Sequence, residues 1–135
     1  MMDIINRIKQ ELTKNGTEDV YSAFDAIPVS SKGNFFTIIG FRNFESLTPI
    51  YSQYTIYIPF RAELEITVTA PKNVTMEEIY NYYEIKIGKI IDSICGLTNN
   101  ICRMSVKPDN SINGFILSVG LSLEGMKKIE RETEI

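Results

Sequence analysis

The feature that most constrains this chain is one long alternating stretch, YTIYIPFRAELEITVTA, which runs from Tyr54 to Ala70. Every even position in it is apolar or aromatic, and the odd positions are mostly polar. This period of two predicts a β-strand, and its length would span roughly 56 Å at about 3.3 Å per residue. Strands usually hold about 5–6 residues, so this one is unusually long. The rest of the fold has to cover its single apolar face.

Length and composition bound the class of protein. A chain of 135 residues with 44% hydrophobic residues predicts a single folded domain, which we place at residues 1–125, with a charged tail at 126–135. A net charge of −3 gives no general attraction to nucleic acid or to anionic membranes. No apolar run approaches the roughly 18 residues of a membrane helix, and MMDIINRIKQEL is not a secretion signal. We therefore expect a cytoplasmic protein.

The first half of the chain predicts one helix and one strand before the long strand. A helix is expected from Asp3 to Asn15, with Asp3 as N-cap and Gly16 as the C′ stop. Its apolar stripe consists of Ile5, Ile8 and Leu12. A short extended piece at Tyr21–Ile27 and a loop through SSKGN follow. FFTIIGFRNF, Phe35–Phe44, is apolar on both faces, which is typical of a central strand.

The best-marked element is a second, longer helix. Thr75 and Glu78 form a capping box at its start, and Gly96 ends it. Gly88 inside this helix is expected to allow close packing against the sheet. The predicted buried stripe is Ile79, Tyr83, Ile87, Ile90 and Ile94.

Two further strands close the chain. In CRMSVK, the side chains of Cys102, Met104 and Val106 share one face, and in FILSVGLSL the odd positions from Phe115 to Leu123 point inward. KKIERETEI is expected to be a frayed tail or a short helix. Short connections favour antiparallel pairing, so the predicted fold is α+β: a largely antiparallel sheet with a long central β-hairpin, packed by an N-terminal helix and one longer central helix.

The residues that usually carry chemistry are missing. The chain has no histidine, which excludes Ser–His–Asp and Cys–His arrangements within one subunit. No phosphate-binding glycine motif occurs, and Cys95 and Cys102 lack the spacing of a zinc site. In a cytosolic protein we expect two reduced, half-buried thiols, and a disulfide between them is the alternative. The carboxylates of Glu63 and Glu65 need only a cross-strand partner such as Arg103 or Lys107. We expect no enzymatic activity, no metal and no cofactor.

The lengths of the elements predict that part of the long hairpin projects. Phe35–Phe44 extends for about 33 Å and the second helix for about 31 Å, so neither can cover the whole of Tyr54–Ala70. Pro59 lies within the alternation without changing its parity, so its missing N–H should face an unpaired edge. The hairpin tip, around Phe44–Pro59, should therefore extend past the covered sheet. The alternative is that the first helix covers the remainder.

A projecting tip would expose an apolar surface to water in a monomer, and burial against a neighbouring subunit would remove that surface from water. Head-to-tail contacts that close would make a ring. The predicted subunit interface consists of Leu47, Ile50, Tyr51, Tyr54, Ile56, Ile58 and Arg61.

The order of elements resembles a known family. A leading amphipathic helix, a long hairpin ending ELEITVTAP, the helix TMEEIYNYYEIKIGKIIDSI and a last hairpin ending GFILSVGLSLEG look like the tail terminator (tail completion) proteins of long-tailed phages, and like their relatives in phage-tail-like bacteriocins and defective prophages. The resemblance covers about residues 1–125 and is one of pattern and size. It implies an α+β subunit in a hexameric ring that caps the last ring of tail tube protein.

The resemblance also implies partners. These are other copies of the chain, the tail tube protein, the sheath in contractile systems and the head connector in phages, so the protein would pass from the cytoplasm into a virion or a phage-tail-like particle. Three other hypotheses remain: another neck protein of the same particle (head-completion or stopper), a stand-alone small-molecule-binding α+β domain, and an enzyme with sites shared between subunits. A neck protein predicts a ring or tube partner, whereas a ligand-binding domain predicts a closed pocket.

Overall fold

The computed structural model describes residues 2–17, 19–22, 35–71, 73–94, 96–109 and 114–130. These residues form one sheet with helices against one of its faces, which is the predicted α+β class. The strands are β1 Val20–Ser22, β2 Phe36–Ser46, β3 Ile50–Tyr51, β4 Thr55–Pro71, β5 Leu97–Asp109 and β6 Gly114–Glu130. The helical segments are α1 Met2–Lys14, α2 Met76–Tyr83, a π-helical turn Glu84–Gly88 and α3 Lys89–Asp92.

The predicted long strand is confirmed as β4, which lies inside the sheet. The strand order is β1-β2-β4-β6-β5, and β3 pairs with β4 beyond the end of β2. The β1–β2 pair is parallel and the other described pairs are antiparallel. β6 pairs with β4 without a break, from Thr55 opposite Glu130 to Pro71 opposite Gly114. A strand of this length is thus stabilised by a neighbour of equal length.

The prediction for the charged C-terminal segment is wrong for residues 127–130. These residues are neither frayed nor helical, because they extend β6 along the first residues of β4. The predicted tail boundary at residue 126 therefore falls inside a strand. Residues 131–135 lie outside the described residues, as do Cys95, most of the Tyr21–Ile27 piece, the SSKGN loop up to Asn34 and the connection at 110–113.

Helix α1 follows the predicted pattern with a one-residue shift. It begins at Met2, so Asp3 lies in its first turn and not at the N-cap, where its charge still favours the helix dipole. Gly16 has φ +88°, and the amides of Gly16 and Thr17 donate to the carbonyls of Thr13 and Leu12, which is a Schellman motif. Its apolar stripe is fully buried: Ile5, Ile8 and Leu12.

The central helix starts as predicted and then departs from regular α-helix. Thr75 Oγ1 accepts a hydrogen bond from the Glu78 amide at 3.2 Å, which confirms the cap. The π-helical turn Glu84–Gly88 adds a residue to one turn, so the next buried position is Ile91 and Ile90 is only half-buried. The prediction of Ile90 in the buried stripe is therefore wrong, because that prediction assumed an unbroken α-helical period.

The core lies between the helices and the face of the sheet that carries the even positions of β4 and the odd positions of β6. We call this the core-side face, and the opposite face the open face. The fully enclosed part of β4 extends from Phe60 to Ala70. Other strand residues in the core are Val20, Ile39, Leu117, Val119, Leu121 and Leu123.

Candidate assembly surface

The core ends abruptly at Phe60. A Cβ on Gly125, which pairs with Phe60, would lie 2.6 Å from Phe60 Cζ and 2.8 Å from Leu97 Cδ2. The glycine therefore makes room for both side chains, and the Phe60 ring also stacks on Phe44 with 5.6 Å between ring centroids. These aromatic rings form the last enclosed layer of the core, because the apolar residues that precede Phe60 on β4 are not enclosed.

Beyond this layer the sheet continues as a three-stranded ribbon, which we call the tip (residues 47–58 and 126–130). It is built from β3, the first residues of β4 and the end of β6. A turn at residues 52–55 closes the β3–β4 hairpin, where the Ser52 amide and hydroxyl donate to the Thr55 carbonyl at 2.8 and 2.9 Å. From Phe60 to Thr55 the ribbon extends by about 16 Å.

The main contacts of α1 explain why the tip stays uncovered. This helix packs against β1, β2 and α3, and the central helix is already at its C-terminal end where β5 starts opposite Gly125. The expected projection of the hairpin past the helical layer agrees with this arrangement. The alternative, in which α1 covers the remainder of the long strand, does not.

Pro59 has the position that its missing N–H requires. Its carbonyl accepts a hydrogen bond from the Leu47 amide at 2.8 Å. The N and O of a strand residue point to the same side, so the proline nitrogen also faces residues 47–49, where the chain passes between β2 and β3. No ladder hydrogen bond to β6 is lost.

The structure brings most of the predicted interface residues together in the tip. Tyr51 is 67% exposed, Tyr54 56%, Ile50 52% and Leu47 37%. Ile56 and Ile58 are half-buried, because neighbouring strands shield them in part. Such a concentration of apolar side chains on one projecting ribbon is unusual for the surface of a monomer.

Arg61 lies apart from these residues, at the base of the tip on the open face. Its Nη2 and Nε atoms donate to Glu124 Oε1 at 3.1 and 3.2 Å, across the β4–β6 pair. Both side chains are exposed, so the pair contributes little to stability. The structure thus places Arg61 in an ion pair within its own chain.

Sequence reasoning missed two exposed residues of the tip, Met126 and Ile129, which are 50% and 39% exposed. Both lie in the segment that we expected to leave the sheet. A signal was present, because Ile129 keeps the odd parity of the buried positions of β6. The length of β4 was a second signal, because the backbone of a 17-residue strand needs hydrogen-bond partners along its whole length.

The tip is apolar on both faces. On the core-side face, Tyr51, Ile56 and Ile129 stand in one cross-strand row. On the open face, Ile50 and Tyr57 stand in the next row, beside Lys128.

The open face of the main sheet carries the polar side chains of β4, at the odd positions from Arg61 to Thr69. Glu65 pairs with Arg42 of β2, with 3.7 Å between Oε2 and Nε. The expected partners Arg103 and Lys107 are on β5, on the far side of β6, so the prediction of either as the partner of Glu65 is wrong. Ion pairs of this exposed kind stabilise weakly and indicate a solvated surface.

Two other groups were candidates for chemistry. Cys102 is a free thiol that lies exposed at a β-bulge of β5, so the expected half-buried position is wrong. Tyr83 is buried, and its hydroxyl has no hydrogen-bond partner among the described residues. Burial raises the pKa of this hydroxyl far above its usual range, and the Asp92 carboxylate acts in the same direction. A hydroxyl held neutral inside the core has no access to a substrate.

The part of the chain that the structure describes contains no cluster of three or more Cys, Asp or Glu side chains that could hold a metal ion. An open depression of about 540 Å³ lies along the solvent side of α1, between Asn6 and Lys14. It is lined by side chains of this one helix and is open to solvent, unlike the concave sites that enclose small molecules. No helix within the described ranges has both the length and the apolar character needed to cross a membrane.

No protein-family model matches this chain, and no curated protein matches it at a significant level. The resemblance to tail terminator proteins therefore rests on the order and size of the elements alone.

Proposed function

We propose that this chain is a structural subunit that associates with copies of itself into a ring, and that the ring caps the end of a phage or phage-like tail tube. The observation that carries the proposal is the tip, a ribbon with apolar side chains on both faces that extends past the last enclosed layer of the core. Burial of the apolar side chains on one face of the tip against a neighbouring subunit removes them from water, which is the main favourable contribution to protein association.

The ring is proposed to be hexameric, by resemblance to tail terminator proteins. Its other partners would be the tail tube protein and, where the particle has them, the sheath and the head connector. The protein would be made in the cytoplasm and would end in a virion or a phage-tail-like particle. This role is structural and needs no catalytic group.

Electron microscopy of the purified protein tests the proposal directly. We expect rings with a central opening, and a mass by light scattering that is a multiple of the 15.4 kDa subunit. When rings are added to growing tubes of the cognate tail tube protein, they should stop elongation and shorten the length distribution. A protein that remains monomeric at high concentration, or rings that leave tube growth unchanged, would contradict the proposed function.

A further inference from the structure

The two faces of the tip continue two different faces of the main sheet. Throughout the main sheet the core-side face is packed against helices, and the open face has no helical layer among the described elements. At the tip the core-side face continues without a helix, although it carries Tyr51, Ile56 and Ile129. None of the described helices covers this end of the sheet, and a helix from another chain would complete the same two-layer packing.

The exposed side of α2 has the composition of such a helix. Met76 and Tyr80, four residues apart on one side of the helix, are 50% and 36% exposed. Glu77 and Glu84 are exposed and lie beside them on the helix surface. The segment 76–84 carries three glutamates and no basic residue. We call Met76, Glu77, Tyr80 and Glu84 the helix patch.

The charge of the tip is complementary to the helix patch. Residues 47–58 contain no charged side chain, so the charges of the tip come from the end of β6. Lys127 is exposed and pairs with Ile58, which places it on the core-side face beside Ile56 and Ile129. An apolar surface with a lysine at its edge fits an apolar stripe with glutamates at its edge.

The tip cannot reach the helix patch of its own chain. α2 begins just after Pro71, the last residue of β4, whereas the tip is at the first residues of the same strand. The length of β4 separates them by roughly 50 Å. Contact between these two surfaces must join two copies head to tail, and repetition of a head-to-tail contact gives a closed ring or an open filament.

We propose that the core-side face of the tip packs on the helix patch of a neighbouring copy, with Lys127 directed at Glu77 and Glu84. This inference rests on the proposed ring and names the two surfaces that form it. The open face of the tip, with Ile50, Met126 and Lys128, takes no part in this contact.

Charge reversal tests the proposal, with a matched control in the next residue. Lys127→Glu should leave a folded chain and raise the dissociation constant of the assembly by about tenfold or more. Lys128→Glu changes the neighbouring exposed lysine, on the opposite face of the ribbon, and should leave assembly unchanged. Circular dichroism and thermal melts confirm folding, and light scattering over a range of concentrations measures assembly.

Exchange of the charges between the two surfaces is the second test. Glu77→Lys with Glu84→Lys should also block assembly, because it places lysines opposite Lys127. Adding Lys127→Glu to the same chain should restore it. A mixture of the Lys127→Glu chain with the Glu77→Lys, Glu84→Lys chain should assemble at concentrations at which neither does alone, because every contact between alternating chains then joins opposite charges.

The outcomes separate this inference from the proposed function. If wild-type rings form and Lys127→Glu assembles normally, or the control impairs assembly equally, or the charge exchange fails to restore it, the pairing of these surfaces is wrong and the ring stands. If the charge exchange restores head-to-tail assemblies that never affect tube growth, the pairing stands and the capping role is wrong. A wild-type chain that remains monomeric contradicts both.

Discussion

The two halves of β4 have the same alternating sequence pattern and different surroundings. From Phe60 to Ala70 the even side chains are enclosed between sheet and helices, with Leu64 and Ile66 fully buried. Between Thr55 and Pro59, Ile56 and Ile58 point to the same side of the sheet and are only half-buried. The pattern determines that a strand has an apolar face. What covers that face depends on the lengths of the other elements.

The largest expected difference between the halves comes from placing carboxylates on this face. Leu64→Asp with Ile66→Asp buries two charges without partners, each at a cost of several kcal/mol. The sum is comparable to the whole stability of a typical domain, about 5–15 kcal/mol. We expect an unfolded chain by circular dichroism. Ile56→Asp with Ile58→Asp should give a folded subunit that does not form rings, as judged by light scattering.

If the Ile56→Asp, Ile58→Asp chain unfolds as completely as the Leu64→Asp, Ile66→Asp chain, the tip is part of the core. The comparison between the two halves would then have no meaning for assembly. Ile56→Ala with Ile58→Ala is the matched control for loss of the side chains without added charge.

A smaller effect distinguishes two neighbouring residues of the helical layer. Ile91→Ala should lower the free energy of unfolding by about 2–5 kcal/mol, because Ile91 is fully buried. Ile90→Ala should cost roughly 1 kcal/mol. The Ile90 side chain is only half-buried, so folding removes less of its apolar surface from water. Denaturant melts of both variants provide the measurement. An equal decrease in the free energy of unfolding for the two variants would contradict the conclusion that the π-helical turn places Ile91, and not Ile90, in the core.

The smallest expected effect at neutral pH is that of Tyr83→Phe. The Tyr83 hydroxyl is buried and has no hydrogen-bond partner in the described part of the chain, so its removal should change stability by less than about 1 kcal/mol, with either sign. The pKa of this hydroxyl is raised in the folded chain, so its contribution is fully present below the ordinary tyrosine value of 10.0 and is lost as pH rises above it. Wild type should therefore lose stability relative to Tyr83→Phe in melts above pH 10, and parallel pH profiles would show that the hydroxyl is not buried.

Strong local signals predicted most of the fold. Alternation identified β4 and the inward face of β6, and the Thr75–Glu78 capping box located the start of the central helix. Gly16 marked the end of α1. In each case the residues that set the structure are neighbours in sequence, so the physical cause can be read from a short segment.

The errors concern features that depend on residues far apart in sequence. Lys127–Glu130 is too polar to predict a strand, and it is strand because β4 offers a partner along its whole length. Gly88 was expected to bring the helix close to the sheet. Its missing Cβ instead leaves room for the Tyr83 ring of the same helix, since a Cβ would lie 3.2 Å from Tyr83 Cε1. The same reason explains why the tip was predicted only in part. Met126 and Ile129 belong to the tip only because β6 pairs with the distant β4.

The π-helical turn has a consequence for insertions and deletions. A turn of this kind contains one residue more than an α-helical turn. Removing a residue such as Ile85, whose side chain is 64% exposed, would give a shorter and regular helix that still presents Tyr83, Ile87 and Ile91 to the sheet at spacings of three and four. The Lys86 carbonyl, which accepts a 2.6 Å hydrogen bond from the buried Thr17 hydroxyl, would have to keep its place. We therefore expect the central helix to tolerate the loss of one residue at this point and to keep its buried side.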